Sequence, residues 1–320
     1  MDIKYILTYI WYLINLSMQN LEPQQPRGIP TQRIIDGNIV YPHSIPYQVF
    51  LNFTGDSNTW LCGGSLITTT YVLTAGRCCF RASSVEIILG AHNISEREST
   101  QVYLESSNIT IHPDFKMDVA AFVYQYDIAV IYLPESVTLN EVIQTIKLPT
   151  TNNTYVNNTG KVGGWGLTDP YNNISYSSIL LAQENMIISN EVCSLVYYDL
   201  KDYDICMKTS DTLSPCVGDY GSPLVVDDVQ VGIVSQGVMF CIPGYPFIYT
   251  RVTSLLEWIK QSTDYIDYSE ITTSTSIIVT TPTVSTTTNT ISTTTNKDDN
   301  SAEPVLQFHN LVLVMLLQFI

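Results

Sequence analysis

Cys216-Val217-Gly218-Asp219-Tyr220-Gly221-Ser222-Pro223 is the stretch on which the reading of this chain turns. Working outward from it, a series of short runs stands in fixed order. Upstream lie Arg33-Ile34-Ile35-Asp36-Gly37, Cys62-Gly63-Gly64-Ser65-Leu66, Val72-Leu73-Thr74-Ala75-Gly76-Arg77-Cys78, Leu89-Gly90-Ala91-His92, Ile111-His112-Pro113, Tyr126-Asp127-Ile128-Ala129-Val130 and Gly164-Trp165-Gly166. Downstream lie Ser235-Gln236-Gly237, Cys241, Tyr249-Thr250-Arg251-Val252 and Trp258. Between them the chain reads as short strands separated by turns, with alternating patches such as Tyr47-Gln48-Val49-Phe50-Leu51 and Val85-Glu86-Ile87-Ile88-Leu89. From Val252 to Ser262 the apolar residues Val252, Leu255, Leu256 and Ile259 fall on one face of a helix.

The collinear series, from Ile34 to about Lys260, resembles the trypsin/chymotrypsin (peptidase S1) family. The resemblance implies an all-β fold of two packed six-stranded antiparallel β-barrels with a C-terminal α-helix, occupying residues 34–262. It also implies a catalytic triad, and two of its three positions are changed here. Tyr220 stands in place of the nucleophilic serine and Arg77 in place of the general-base histidine; only the carboxylate survives, as Asp127.

Acyl transfer at such a site needs a hydroxyl deprotonated by a neutral imidazole, which a buried carboxylate orients. Arginine is always protonated in proteins and has no lone pair with which to take that proton. A tyrosine with its ordinary pKa of about 10 is phenolate in only about one molecule in a thousand at pH 7. Arg77 could lower that pKa by proximity. Even so, nothing remaining could protonate a departing amine, and losing nucleophile or base alone in a comparable triad costs on the order of a millionfold in turnover. The expectation is a family member without protease activity, in which Arg77 and Asp127 form a buried ion pair; the alternative is a weak or altered hydrolase that uses Tyr220.

By the same resemblance, Ser214, Ser235, Gly237 and Phe247 border the primary specificity pocket. An aromatic ring at 247, where a small residue is usual, is expected to fill the slot, since close-packed interiors leave little spare volume. Gly218 and the Tyr220 amide would form an oxyanion-hole-like pair of donors, which without a nucleophile has no acylation to accelerate. Arg33-Ile34 matches the zymogen cleavage site, with Asp219 as the carboxylate that receives the new amino terminus of Ile34. His43, His92 and His112 are read as structural or solvated, His309 falls in a tail, and no pair has metal-ligand spacing. No cofactor and no metal are expected.

The chain has 320 residues and a net charge of −16, enough for one large β domain with appendages. That acidity argues against nucleic acid as a partner, because binding there depends on lysine and arginine. Residues 1–18 read as a secretory signal peptide and 19–33 as an activation propeptide. The 7 cysteines fit an oxidising compartment. The family pattern implies the pairs Cys62–Cys78, Cys193–Cys206 and Cys216–Cys241 and leaves Cys79 over. Three placements are open to Cys79: burial, competition with Cys78, or a bridge to a second chain that would make a disulfide-linked dimer. Asn52, Asn93, Asn108, Asn152, Asn157 and Asn173 stand in Asn-x-Ser/Thr sequons, whose sugars would shield the faces they decorate.

Beyond residue 262 the composition changes. Residues 263–299 are rich in threonine and serine and read as an O-glycosylated stalk unable to bury a core. Asn300-Ser301-Ala302, a spacer, and the apolar run from Leu311 to Ile320 follow the order of a GPI-anchor signal over 300–320, with Asn300 as the attachment residue. A membrane span is the competing reading, but the run is shorter than the roughly 20 residues a crossing helix needs. The expected protein is extracellular, tethered to the cell surface through lipid, and acts on protein partners such as active proteases, their substrates or their inhibitors.

Overall fold

The structure, a computed structural model, describes residues 38–118, 123–168, 176–210, 214–238 and 241–267. Arg33, Ile34, Asn173 and Asn300 lie outside the described residues, as do the signal, propeptide and anchor segments and all but the first few residues of the stalk. Among the described residues no helix is long and apolar enough to cross a membrane.

Two antiparallel sheets divide the domain. In the first half β2 (Gln48–Thr54), β3 (Thr59–Leu66), β4 (Tyr71–Thr74), β5 (Ser84–Leu89), β6 (Val102–Ser106), β7 (Ile109–Ile111) and β10 (Ala129–Tyr132) pair in the order β6-β5-β2-β3-β4-β10-β7. In the second half β1 (Asn38–Ile39), β11 (Thr159–Gly164), β12 (Leu181–Ile188), β13 (Asp204–Met207), β14 (Pro223–Val226), β15 (Val229–Gln236) and β16 (Phe247–Arg251) run β1-β12-β11-β14-β15-β16-β13. There β12 also pairs with β13 through Ile187–Met207 and Ile188–Cys206, closing six strands into a barrel with β1 added at its edge. The two-halved all-β architecture is as expected. The first half is a curled sheet of seven strands rather than a closed barrel of six. A hairpin of β8 (Lys116–Asp118) and β9 (Val123–Gln125) stands apart from both sheets.

Alternation along the strands explains how the halves are joined. Val49, Leu51 and Phe53 of β2 and Val85, Ile87 and Leu89 of β5 enter the core of the first half, while Phe50 and Ile88 join a second cluster with Trp165. Phe50 meets Trp165 edge-on at 5.7 Å. Buried polar contacts cross the same boundary: Gln48 Nε2 donates to Ser222 Oγ at 3.0 Å, and Ser65 Oγ donates to Gln230 Oε1 at 2.6 Å. Such bonds fix one relative placement, because a buried donor or acceptor left unmade costs about 1–3 kcal/mol. The C-terminal helix (Val252–Ser262) buries Val252, Leu255 and Ile259, as its periodicity predicts.

Candidate active site

Three short devices aim the triad positions at one another. Arg77 sits in a one-turn helix, α1 (Gly76–Cys79), that follows β4 and is held by the Cys62–Cys78 disulfide. Asp127 follows Tyr126, whose φ of 49° turns the chain into β10. Tyr220 lies in a turn before β14, anchored upstream by the Cys216–Cys241 disulfide and by a hydrogen bond from the Gly63 amide to the Tyr220 carbonyl at 2.8 Å. The third expected bridge, Cys193–Cys206, is also present.

The carboxylate of Asp127 is buried and fully engaged. Oδ1 accepts the Arg77 backbone amide at 2.6 Å, Oδ2 accepts the Ser235 hydroxyl at 2.7 Å, and its own carbonyl accepts the Thr250 hydroxyl at 2.8 Å. Burial raises its pKa, opposed by the charge of Arg77 and by these donors. The Arg77 guanidinium is elsewhere. It lies 3.9 Å from the Tyr124 ring centroid and 3.8 Å from that of Tyr220, between the two, and its Nη1 donates to the Ser235 carbonyl at 2.6 Å. The expected Arg77–Asp127 side-chain ion pair is therefore not formed among the described residues. The carboxylate already has strong neutral donors, and the cation gains two aromatic faces instead.

Tyr220 packs against the cores of both halves. Burial pushes its phenol above the ordinary value, although Arg77 pulls the other way. The sequence argument left open that Arg77 would lower this pKa; in the folded protein desolvation outweighs it. Ser222, the nearest hydroxyl along the chain, is fully buried and bonded to Gln48, so it offers no replacement nucleophile.

The remaining site residues separate into a filled pocket and an intact frame. A Cβ built on Gly237 would lie 2.4 Å from the Phe247 ring, so the ring is seated directly on that backbone, and Phe247 is 2 % exposed. Ser214 is buried too, its hydroxyl donating to the Pro215 carbonyl. Gly218 adopts φ +99° against Gly166 and Tyr176, a conformation that favours glycine. Neither its amide nor that of Tyr220 has a hydrogen-bond acceptor among the described residues. Asp219 is buried; Oδ1 accepts Gly166 N–H at 2.8 Å and Oδ2 accepts Cys216 N–H at 3.0 Å. Burial drives its pKa up to about 7, opposed by the hydrogen bonds from the Cys216 and Gly166 amides.

The family model for trypsin matches residues 34–259 of this chain. The chain belongs to the trypsin family. Among its relatives are a chymotrypsin of Phaedon cochleariae, 39 % identical over 77 % of this chain and 88 % of the relative, and brachyurin of Leptuca pugilator, 39 % identical over 72 % and 98 %. A solved collagenase structure superposes with a TM-score of 0.65 at 34 % identity, covering 73 % of this chain and all of that one. Within this trypsin-family domain, sequence reasoning missed Tyr124 and Gln236. Tyr124 stacks on Arg77, and its amide donates to Gln236 Oε1 at 3.0 Å. Tyr124 sits in the short strand β9 with no motif of its own, and only folding brings it to the guanidinium.

Cys79 is a free thiol, 3 % exposed, with its pKa raised well above the ordinary value by burial. A sulfur so placed presents no face to a second chain, so the disulfide-linked dimer does not carry forward. His92 and His112 are buried, with burial lowering both pKa values; His112 stacks on Tyr126 at 4.8 Å. Among the described residues no group of three or more acidic, histidine or cysteine side chains is arranged to hold a metal. Asn108, Asn152 and Asn157 are exposed, while Asn52 and Asn93 are partly covered.

Proposed function

We propose that this trypsin-family protein is a non-catalytic serine protease homologue that works by binding, as a decoy, scaffold or cofactor for active proteases. The observation that carries the reading is the stack of Tyr124, Arg77 and Tyr220. It puts a permanent cation without a lone pair at the general-base position and a phenol of raised pKa at the nucleophile position, so no neighbouring group can accept and return a proton. Phe247 seated on Gly237 supports the same reading from the side of substrate recognition.

The named proteases among the relatives favour a second reading, a weak hydrolase using Tyr220. The phenol pKa and the bulk of the ring weigh against it. The test is incubation of the domain, cleaved after Arg33, with peptide esters and a fluorophosphonate probe. No turnover and no labelling are expected; labelling abolished by Tyr220→Phe would overturn the non-catalytic reading in favour of the second.

The setting we propose is the outer cell surface, with secretion, N-glycosylation at the exposed sequons and a lipid anchor at Asn300. Release of the protein from intact cells by phosphatidylinositol-specific phospholipase checks the anchor, and retention after that treatment counts against it.

A further inference from the structure

Of the 4 histidines in this chain, His43, His92 and His112 fall among the described residues, and the first two meet. His43 lies between β1 and β2, and His92 lies in the loop that follows β5. Their ring centroids are 6.4 Å apart at an interplanar angle of 64°. The Nδ1 atom of each is buried and has no hydrogen-bond partner among the described residues. Two such atoms on neighbouring rings call for a reason, because a buried polar atom nearly always finds a donor or an acceptor. A neutral imidazole keeps a lone pair on one ring nitrogen, and that nitrogen is the commonest metal ligand among protein side chains.

The surroundings fix one ring and leave the other an approach. The His92 amide donates to Glu98 Oε2 at 2.7 Å, and its carbonyl accepts Trp165 Nε1 at 3.1 Å and the Leu180 amide at 2.9 Å. His92 is 9 % exposed. His43 is half-buried, and its φ of 61° is one that side-chain-bearing residues seldom adopt. Glu98 Oε2 also accepts the Asn93 amide and Gln101 Nε2, both at 3.1 Å. A carboxylate engaged in this way orients the loop and brings negative charge to the rings, as the outer groups of metal sites do. No group of three histidine, cysteine or acidic side chains is arranged to hold an ion among the described residues, so the protein's own donors here number two.

We propose that His43 and His92 form a two-nitrogen site for a divalent transition-metal ion of the Zn²⁺ class, with water in the remaining coordination positions. An ion about 2.0–2.1 Å from a nitrogen of each ring sets the centroids about 5–6.5 Å apart, and the observed 6.4 Å lies at the open end of that range. Imidazole donors select such an ion over Ca²⁺ and Mg²⁺, which take oxygen ligands. The net charge of −16 draws cations to the surface in general. The two ligands belong to separate segments at the seam between the halves: Val40 and Ile45 on either side of His43, and Ala91 before His92, pack in the cluster that contains Trp165. An ion held by both segments in the folded chain alone stabilises it by mass action, so the supply of metal sets the strength of that seam. The site uses neither Arg77 nor Tyr220 and stands or falls independently of the non-catalytic reading.

The experiment is calorimetric titration of the full chain, stripped with a chelator, with Zn²⁺ and separately with Ca²⁺, alongside thermal melts. Binding of Zn²⁺ and a Tm that rises with its concentration are expected, with no response to Ca²⁺. His43→Gln should weaken Zn²⁺ binding at least about tenfold, whereas His309→Gln, in the carboxy-terminal tail, should alter it less than about twofold. His92→Gln should match His43→Gln. Where the buried variant fails to fold, the imidazole nitrogen resonances of the parent chain decide: Zn²⁺ should shift those of His43 and His92 and leave those of His112 in place. Zn²⁺ affinity unchanged by His43→Gln, resonance shifts confined to other histidines, Ca²⁺ binding in preference to Zn²⁺, or a parent chain that binds no Zn²⁺ would each overturn the site.

Discussion

The floor of the cleft around Asp127 and the pocket around Gly237 lie within one domain but depart from the family pattern in different ways. At Asp127 the hydrogen-bond frame is whole: amide, hydroxyl and carboxylate meet at 2.6 and 2.7 Å. By the family resemblance, what differs is the chemistry of the two residues placed in that frame, Arg77 and Tyr220. At Gly237 the change is one of volume, with the Phe247 ring occupying the space beside the backbone. The contrast teaches that a scaffold can keep its geometry whatever residues it holds, since a frame of backbone amides and buried hydroxyls does not depend on whether its occupant can carry a proton.

The strongest test of that contrast is restoration. Arg77→His with Tyr220→Ser places imidazole and hydroxyl into the intact frame. Fluorophosphonate labelling of the cleaved domain should rise by at least about 10⁴-fold over the parent, while peptide hydrolysis stays low until Phe247→Gly is added. If the double variant folds and is not labelled, the frame at Asp127 is not intact and the contrast fails. Next in size is Phe247→Gly alone. Emptying a buried aromatic site costs about 3–5 kcal/mol and should lower the Tm by roughly 10 °C. An unchanged Tm in a thermal melt would mean that the ring is not a packed part of the core.

The smallest effect concerns Asp219. Its folded pKa of about 7 lies above the ordinary 3.8, so in the uncleaved chain its contribution to stability is fully present below about pH 4 and is lost as the pH rises through 7. The Tm of the uncleaved chain should drift downward from pH 4 to pH 8, and Asp219→Asn should flatten that drift. Cleavage after Arg33 should flatten it too, if the freed Ile34 amine reaches the carboxylate. A drift identical in all three forms would remove Asp219 from the account.

Much of this was legible before folding. The run from Cys216 to Pro223 and its collinear companions named the family and the three disulfides. The buried face of the last helix followed from periodicity alone. The Arg77–Asp127 ion pair was misread because the nearest opposite charge in a family scheme is not the best partner once neutral donors already satisfy the carboxylate. Cys79 was undecided by sequence because a thiol's accessibility depends on what packs over it.

Sequence by itself determined which atoms are present: no imidazole at 77, no aliphatic hydroxyl at 220, a ring at 247, and a large excess of carboxylates. Those are statements of covalent chemistry and hold in any conformation. Only the tertiary structure decided that Tyr124 and Tyr220 clasp the guanidinium, and that burial outweighs Arg77 in setting the Tyr220 pKa. Stacking, desolvation and ion pairing depend on distances of a few ångströms between residues far apart in the chain, and those distances come into being only when the two halves pack.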